Sequence, residues 1–518
     1  MFRWIRGVSH ERSTRRNCCN KPARPQLSLE RLECRTVPSG TTVLQTNLVS
    51  DLAGVAAVQD PHLVNPWGIS ESSGSPFWIS DNNAGVSTLY NVPGANNTPV
   101  SINPLVVSIP TPGDPLGASG TPTGTVFNID GGATGGFKIS GVSKTGQPTS
   151  ASAIFLFATE DGTIVGWNPG VNPTGFATAK AGTYGIIAVD NSGNNFTEPD
   201  PGKQTGAVYK GLSIASSAAP IFASDPNSTT VLYVTNFRTG QVEVYDTNFK
   251  RVTLPTGAFS DKNLPSDYAP FNVQVLNGKV YVTYAKQNAN KHDDVAGHNH
   301  GFVDVFNLDG TPGLPGGTAR LITRDHLDSP WGLALAPSSF GSLAGDLLVG
   351  NFGNGFINVF NPTTGAFLGQ LKDPDGEPIQ IDGLWALKVG NGKAGGDANT
   401  VYFTAGLFGE THGLFGSLSP VAPGTPEGPA EMQMVIGAFD VFQMSVKTFN
   451  TDLASGAPRA QLLQDLQAVQ TDLQDFIRAE VSFVFDSIAD HGGFSSSHNA
   501  FLEDLSHLFT TLEGLELH

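Results

Sequence analysis

The stretch Lys291–Gly301, "KHDDVAGHNHG", gathers the side chains best suited to chemistry in this chain. It places His292, Asp293, Asp294, His298 and His300 within nine residues. Neutral imidazole nitrogens and carboxylate oxygens together suit zinc or another first-row divalent ion. In an extended segment, His298 and His300 fall on the same side. Asp293 and Asp294 would supply oxygen ligands, or accept hydrogen bonds that fix an imidazole tautomer. The spacing matches no closed zinc motif, and a hydrated surface loop is the simpler alternative. A second stretch, "LFGETH", adds Glu410 and His412 as further candidate metal ligands.

Other motifs carry less. "GGATGG" at 131–136 has no following Lys-Ser/Thr and no βαβ setting, so it reads as a turn rather than a phosphate loop. "GASGTPTG" at 117–124 lacks the Gly-x-Ser-x-Gly elbow of a serine nucleophile. "DPDGEP" at 373–378 lacks the twelve-residue carboxylate pattern of a calcium loop.

What must position these loops is a repeat. "NPWGIS" (65–70), "APFNVQV" (269–275) and "SPWGLAL" (329–335) share an opening, with "GLSIAS", "GLWALKV" and "TGTVFNI" as looser copies. An apolar strand follows each, among them "PFWISDN", "VLYVTNF" and "DLLVGNF", and then a turn and a third strand such as "VSTLYN", "QVEVYD" or "FINVFN". Six short antiparallel sheets in tandem describe an all-β, six-bladed β-propeller over 41–420. A tandem of β-sandwiches is the rival, and it leaves six similar blocks unexplained. Trp67, Phe271, Trp331 and Trp385 are expected as core, wedged between blades.

In this scheme the 291–301 loop joins the second and third strands of the fourth blade, and "LFGETH" does so in the sixth. Such loops share one face with the blade-to-blade connections, around the central channel. Loops on a rigid scaffold are the usual seat of function. Blades four and six are not neighbours, so a joint site requires both loops to lean over the channel.

Composition agrees with many short strands: 61 Gly, 35 Pro and only 14% charged residues in 518. The net charge of −17 disfavours nucleic acid as a partner. Residues 1–35 run against this, with nine Lys/Arg and three Glu, and 1–40 reads as a basic tail. All three cysteines, Cys18, Cys19 and Cys34, lie there, so no thiol serves the body. No apolar run reaches the ~18 residues of a membrane helix, and no ordinary signal peptide opens the chain. "VAPGTPEGPA" marks a Pro/Gly linker at 421–430. Beyond it, 431–518 turns helical: Leu462, Leu466, Val469, Leu473 and Phe476 recur at three- and four-residue steps. A small bundle is expected, its helices packing together or mediating assembly.

The body resembles an uncharacterised family of secreted bacterial propellers, related to NHL-type repeats and associated with the PEP-CTERM sorting signal. The resemblance lies in "DPHLVNPWGIS", "FATEDGTIVGWN", "YKGLSI", "SPWGLALAPSSFG", "LLVGNFGNGFINVFN" and "THGLFGSL". "LSLERLECRTVPSG" (27–40) resembles the N-terminal LExR sorting segment of bacterial surface proteins. The resemblance implies the propeller and an exported, extracellular or cell-surface location, and no reaction. Two functions are therefore expected to compete. One is a binding module for a glycan or protein of a surface or matrix. The other is a metal-dependent hydrolase or lactonase with its site on the face carrying the 291–301 loop.

Overall fold

The computed structural model describes residues 42–93, 99–132, 135–193 and 206–421, with a further set of positions between 442 and 473. Six antiparallel sheets form the six blades. Their first strands are Pro66–Ser70, Pro122–Phe127, Tyr209–Ser216, Tyr268–Leu276, Pro330–Leu335 and Leu384–Val389. Each of these lies against the next and the last lies against the first, so they close a ring. They coincide with the six repeat openings, and the chain is a six-bladed propeller. Glycine lets the inner strands approach closely. A Cβ on Gly68 would lie 2.4 Å from the Thr123 carbonyl oxygen of the second blade. Middle strands such as Thr230–Asn236 are buried at every residue, because each sheet is covered on both faces by its neighbours.

The ring is closed by its two ends. Val43–Ser50 pairs antiparallel with His412–Pro420, Val43 opposite Pro420 and Ser50 opposite Leu414. The sixth blade is thus built from the first and last strands of the propeller. The second blade also holds a hairpin, Lys138–Val142 with Pro148–Ser152, inserted between its first two strands. Its Ser, Thr and Lys residues give no apolar alternation, so the repeat reading passes over it.

The aromatic residues expected between blades lie instead at the axis. Trp67 of the first blade stacks on Trp385 of the sixth at 3.5 Å between centroids. Trp331 of the fifth meets Trp67 edge-on at 6.2 Å, and Phe271 of the fourth approaches Trp385 at 6.0 Å. Side chains from non-adjacent blades can meet only across the channel, so this cluster fills it. A cavity of about 20 Å³, lined by Gly68, Thr125, Leu212, Asn272 and Trp331 among others, remains there, room for roughly one water.

Beyond Val421 the described positions are mostly helical. Phe442, Phe449 and Val469 are buried together, with Val446, Leu462, Leu466 and Leu473 packed against them. Leu473 also touches the apolar cluster of the fifth and sixth blades. The sorting segment, linker positions 422–430 and residues 474–518 lie outside the described residues.

Candidate functional site at the channel mouth

The loops after the second strands set the mouth. In the fourth blade this loop runs 287–301 and first doubles back on itself. Gln287 bridges to Asp294, the Asn288 N–H donates to the Asp293 carbonyl, and the Val295 N–H to that of Lys286. Lys291 sits at the bend with a φ of 54°. The His292 N–H donates to Asn288 Oδ1 at 3.1 Å. This small hairpin carries His292 and Asp293 toward the axis. His292 Nδ1 and Asp293 Oδ1 are 2.6 Å apart.

The rest of the loop serves itself. His300 Nδ1 donates to the Val295 carbonyl at 2.8 Å, and its ring meets Tyr268 edge-on. The Gly297 N–H donates to Asp328 Oδ1 at 2.6 Å. His298 is exposed. The two residues of the "HxH" pair are therefore not brought to His292.

What Asp293 meets is Lys210, from the inner strand of the third blade. Its side chain is only 2% exposed. The ammonium is paired with Glu160 Oε1, from the second-blade loop. It stands 3.7 Å from Asp293 Oδ1 and 5.0 Å from the ring centre of Trp67. Burial works against the charge on Lys210, but Glu160, Asp293 and Asp294 outweigh it and raise its pKa. Glu160 Oε2 accepts from the Asn82 side-chain amide at 3.0 Å, which fixes the carboxylate from the first blade.

Glu410 reaches the mouth from the sixth blade on a tight turn. Phe408, Gly409 and Glu410 all have positive φ, at 52°, 64° and 70°. For Phe and Glu this is costly backbone, kept only where the surroundings hold it. The Phe408 N–H donates to Asp382 Oδ2 at 2.8 Å, and the Asn83 amide donates to the Glu410 carbonyl at 2.7 Å. Glu410 Oε2 accepts from Asn65 Nδ2 at 2.8 Å, while Asn65 Oδ1 accepts from Trp385 Nε1 at 3.0 Å. Burial, and then the charge of Glu160, push the Glu410 carboxyl up to about 7. His412 turns elsewhere: its Nδ1 lies 2.6 Å from Asp51 Oδ2.

Two further carboxyls show the same field. Burial raises Asp161 to about 6, and it raises Asp294 as well. Desolvation also pushes Asp293 up, but its bond to His292 and the charge of Lys210 win and hold it at about 2. Five carboxyls, Glu160, Asp161, Asp293, Asp294 and Glu410, thus stand with two permanent cations, Lys210 and Arg238, and with His292. Among the described residues one group could hold a metal ion: Glu160, His292 and Asp293 offer ligand atoms all within 4.8 Å of one another. Asp294, His298, His300, Glu410 and His412 are outside it.

Sequence reasoning missed Lys210, Glu160, Asn65 and Asn82. Lys210 did leave a signal, a lone cation inside the apolar run "AVYKGLSIA". Glu160 left none, since "TEDGT" reads as an ordinary hairpin turn.

Six blades around an aromatic-filled axis, with an acidic mouth over a buried lysine, define the molecule as a β-propeller with one chemically distinct face. No protein-family model matches the chain. Uncharacterised protein R648 of Acanthamoeba polyphaga mimivirus is 30% identical over 376 residues, covering 72% of this chain and 78% of that protein. Uncharacterised protein L690 of the same virus is 30% identical over 375 residues, covering 72% and 84%. The chain belongs to the family of these two proteins. This corrects the expectation of a bacterial, PEP-CTERM-associated family: the relatives found are viral. Solved propellers are similar at lower identity. A streptogramin B lyase is 13% identical with a TM-score of 0.33, covering 73% of this chain and 97% of that one. A Penicillium chrysogenum alpha-L-arabinanase complexed with arabinobiose is 13% identical with a TM-score of 0.38, covering 73% and 98%. Among the described residues no helix is long and apolar enough to cross a membrane.

Proposed function

We propose that the chain is a binding protein whose ligand face is the channel mouth, and that its ligand presents positive charge there. One observation carries the reading: carboxyls from the second, fourth and sixth blades gather around Lys210 and outnumber the permanent cations there, Lys210 and Arg238, by three. A mouth in which one sign of charge predominates concentrates ligands of the other sign. The turn that holds Glu410 in left-handed backbone supports the same reading, because strain of this kind gathers at ligand clamps. A protein partner offering a lysine or arginine side chain fits this chemistry.

The test is titration calorimetry with a lysine-rich and a glutamate-rich peptide at low and high salt. The lysine-rich peptide is expected to bind, to weaken as salt rises, and to lose affinity when Asp294→Asn and Glu410→Gln are combined. Equal binding of both peptides, or no change in the double variant, overturns the reading.

A second reading is hydrolysis, favoured by Glu410 alone. A carboxyl held at about 7 beside a buried ammonium is suited to passing a proton in either direction at neutral pH. Turnover of simple esters or lactones that disappears in Glu410→Gln supports it; no turnover of either class by the native chain removes it.

A further inference from the structure

We propose that Glu160, His292 and Asp293 form a binding site for a first-row divalent metal ion, assembled across the second and fourth blades. The inference rests on the reading of the mouth as a cation-attracting face and names the ion for one part of it. The three side chains offer one nitrogen and two carboxylate oxygens within 4.8 Å of one another. That donor set suits manganese, iron or zinc better than an all-oxygen site would. The ligands come already held. The Asn82 amide bonds the far oxygen of Glu160 at 3.0 Å, and the Asn288 amide bonds Asp293 Oδ2 at 3.2 Å. Such outer contacts orient ligand atoms before an ion arrives.

The objection to an ion here is Lys210, whose ammonium already pairs with Glu160 and lies 3.7 Å from Asp293. One fact answers it. Lys210 brings a single positive charge to two carboxylates, Glu160 and Asp293, so the group keeps room for a further cation. Lys210 and the ion therefore compete for the same two carboxylates. The competition gives the inference a signature that a hydrated loop lacks: removing the lysine must tighten the metal.

The experiment is titration of the full chain with manganese chloride, followed by electron paramagnetic resonance, and with zinc chloride by calorimetry. One ion per chain is expected. Glu160→Gln and His292→Ala should each weaken it by about tenfold or more, while the paired change His298→Ala, His300→Ala leaves it unaltered. Lys210→Met should bind more tightly than the native chain; if that variant does not fold, Glu160→Gln and His292→Ala decide alone. Metal that persists undiminished in those two variants, or that disappears with His298 and His300, overturns the inference. The lysine-rich peptide is titrated in the same metal-free samples. Peptide binding without metal binding overturns the metal site and leaves the mouth as a ligand face. Metal binding without peptide binding supports the site and removes the peptide reading.

Discussion

The Lys210 ammonium lies 5.0 Å from the ring centre of Trp67, although the two residues belong to the third and first blades. The contact spans the channel and sets the ammonium over the aromatic cluster of the axis. A lysine 2% exposed would ordinarily shed its proton, yet here Glu160 leans over from the second blade and keeps it charged. Trp67 in turn stacks on Trp385. Lys210 and Glu160 are thus compensated by each other more than by solvent.

Breaking that compensation has a cost. Lys210→Met leaves Glu160, only 12% exposed, without its cation. Removing one partner of a buried pair typically costs about 3–5 kcal/mol. The midpoint of urea unfolding is expected to fall accordingly. Adding Glu160→Gln to the same chain should recover part of the loss, because the stranded charge is then gone. A double variant as unstable as the single one would show that the lysine acts only through its packing.

Glu410 makes stability depend on pH in a defined sense. Its carboxyl is raised from 4.5 to about 7 in the folded chain, so the folded state holds the proton more tightly than the unfolded state does. Stability from this group is therefore fully present below pH ~4.5 and is lost as pH rises through about 7. Glu410→Gln should flatten the change in urea midpoint between pH 5 and pH 8, and should be more stable than the native chain at pH 8. An unchanged slope would mean that Glu410 is ionised in the folded protein throughout that range.

Ring closure gives a prediction independent of the mouth. Val43 and Val49 are fully buried in the strand that completes the sixth blade, and the register of that strand joins the two ends of the propeller. Deleting residues up to 50 exposes the edge of His412–Pro420 and opens the ring. We expect a lower unfolding midpoint, a less cooperative transition and concentration-dependent association through the bared edge. A truncated chain that unfolds at the native midpoint and remains a monomer would show that the closing strand is dispensable.

The six blades were legible because each opens on a short apolar strand with a proline, glycine or aromatic residue at a fixed place, and a two-residue alternation follows. The direction taken by the aromatic residues was not. Trp67 and Trp385 sit at equivalent places in their repeats, and alternation assigns them to a buried face without saying whether that face meets a neighbouring blade or the axis. The site was legible in half. "KHDDVAGHNHG" is rich in ligand atoms, and its residue types flagged it. Its internal hydrogen bonds, which aim His292 and Asp293 inward and occupy His300, depend on where Asn288 and Lys286 are held by the strand. Glu160 was unreadable for a deeper reason: it acts as part of the site only because the ring brings the second blade's turn beside the third blade's Lys210.

The tightness of that ring can be measured at one glycine. Gly124 of the second blade faces the third blade so closely that a Cβ would fall 2.3 Å from the Leu212 backbone nitrogen and 2.8 Å from its Cβ. Neither atom can move without shifting an inner strand that is itself held on its other side by Asn272 of the fourth blade. Overpacking of this kind costs typically about 1–3 kcal/mol. Gly278 supplies the comparison. It lies in the turn between the first two strands of the fourth blade at a φ of 74°, where a Cβ meets nothing within 4 Å, so alanine there pays only the left-handed backbone cost of about 1 kcal/mol. Gly124→Ala is therefore expected to lower the urea midpoint more than Gly278→Ala, and to alter peptide or metal binding at the mouth by displacing Lys210, two residues before Leu212. Equal losses in the two variants would mean that the inner strands can separate freely. The register that brings Lys210 to Glu160 would then have to be held by the loops instead of by the ring.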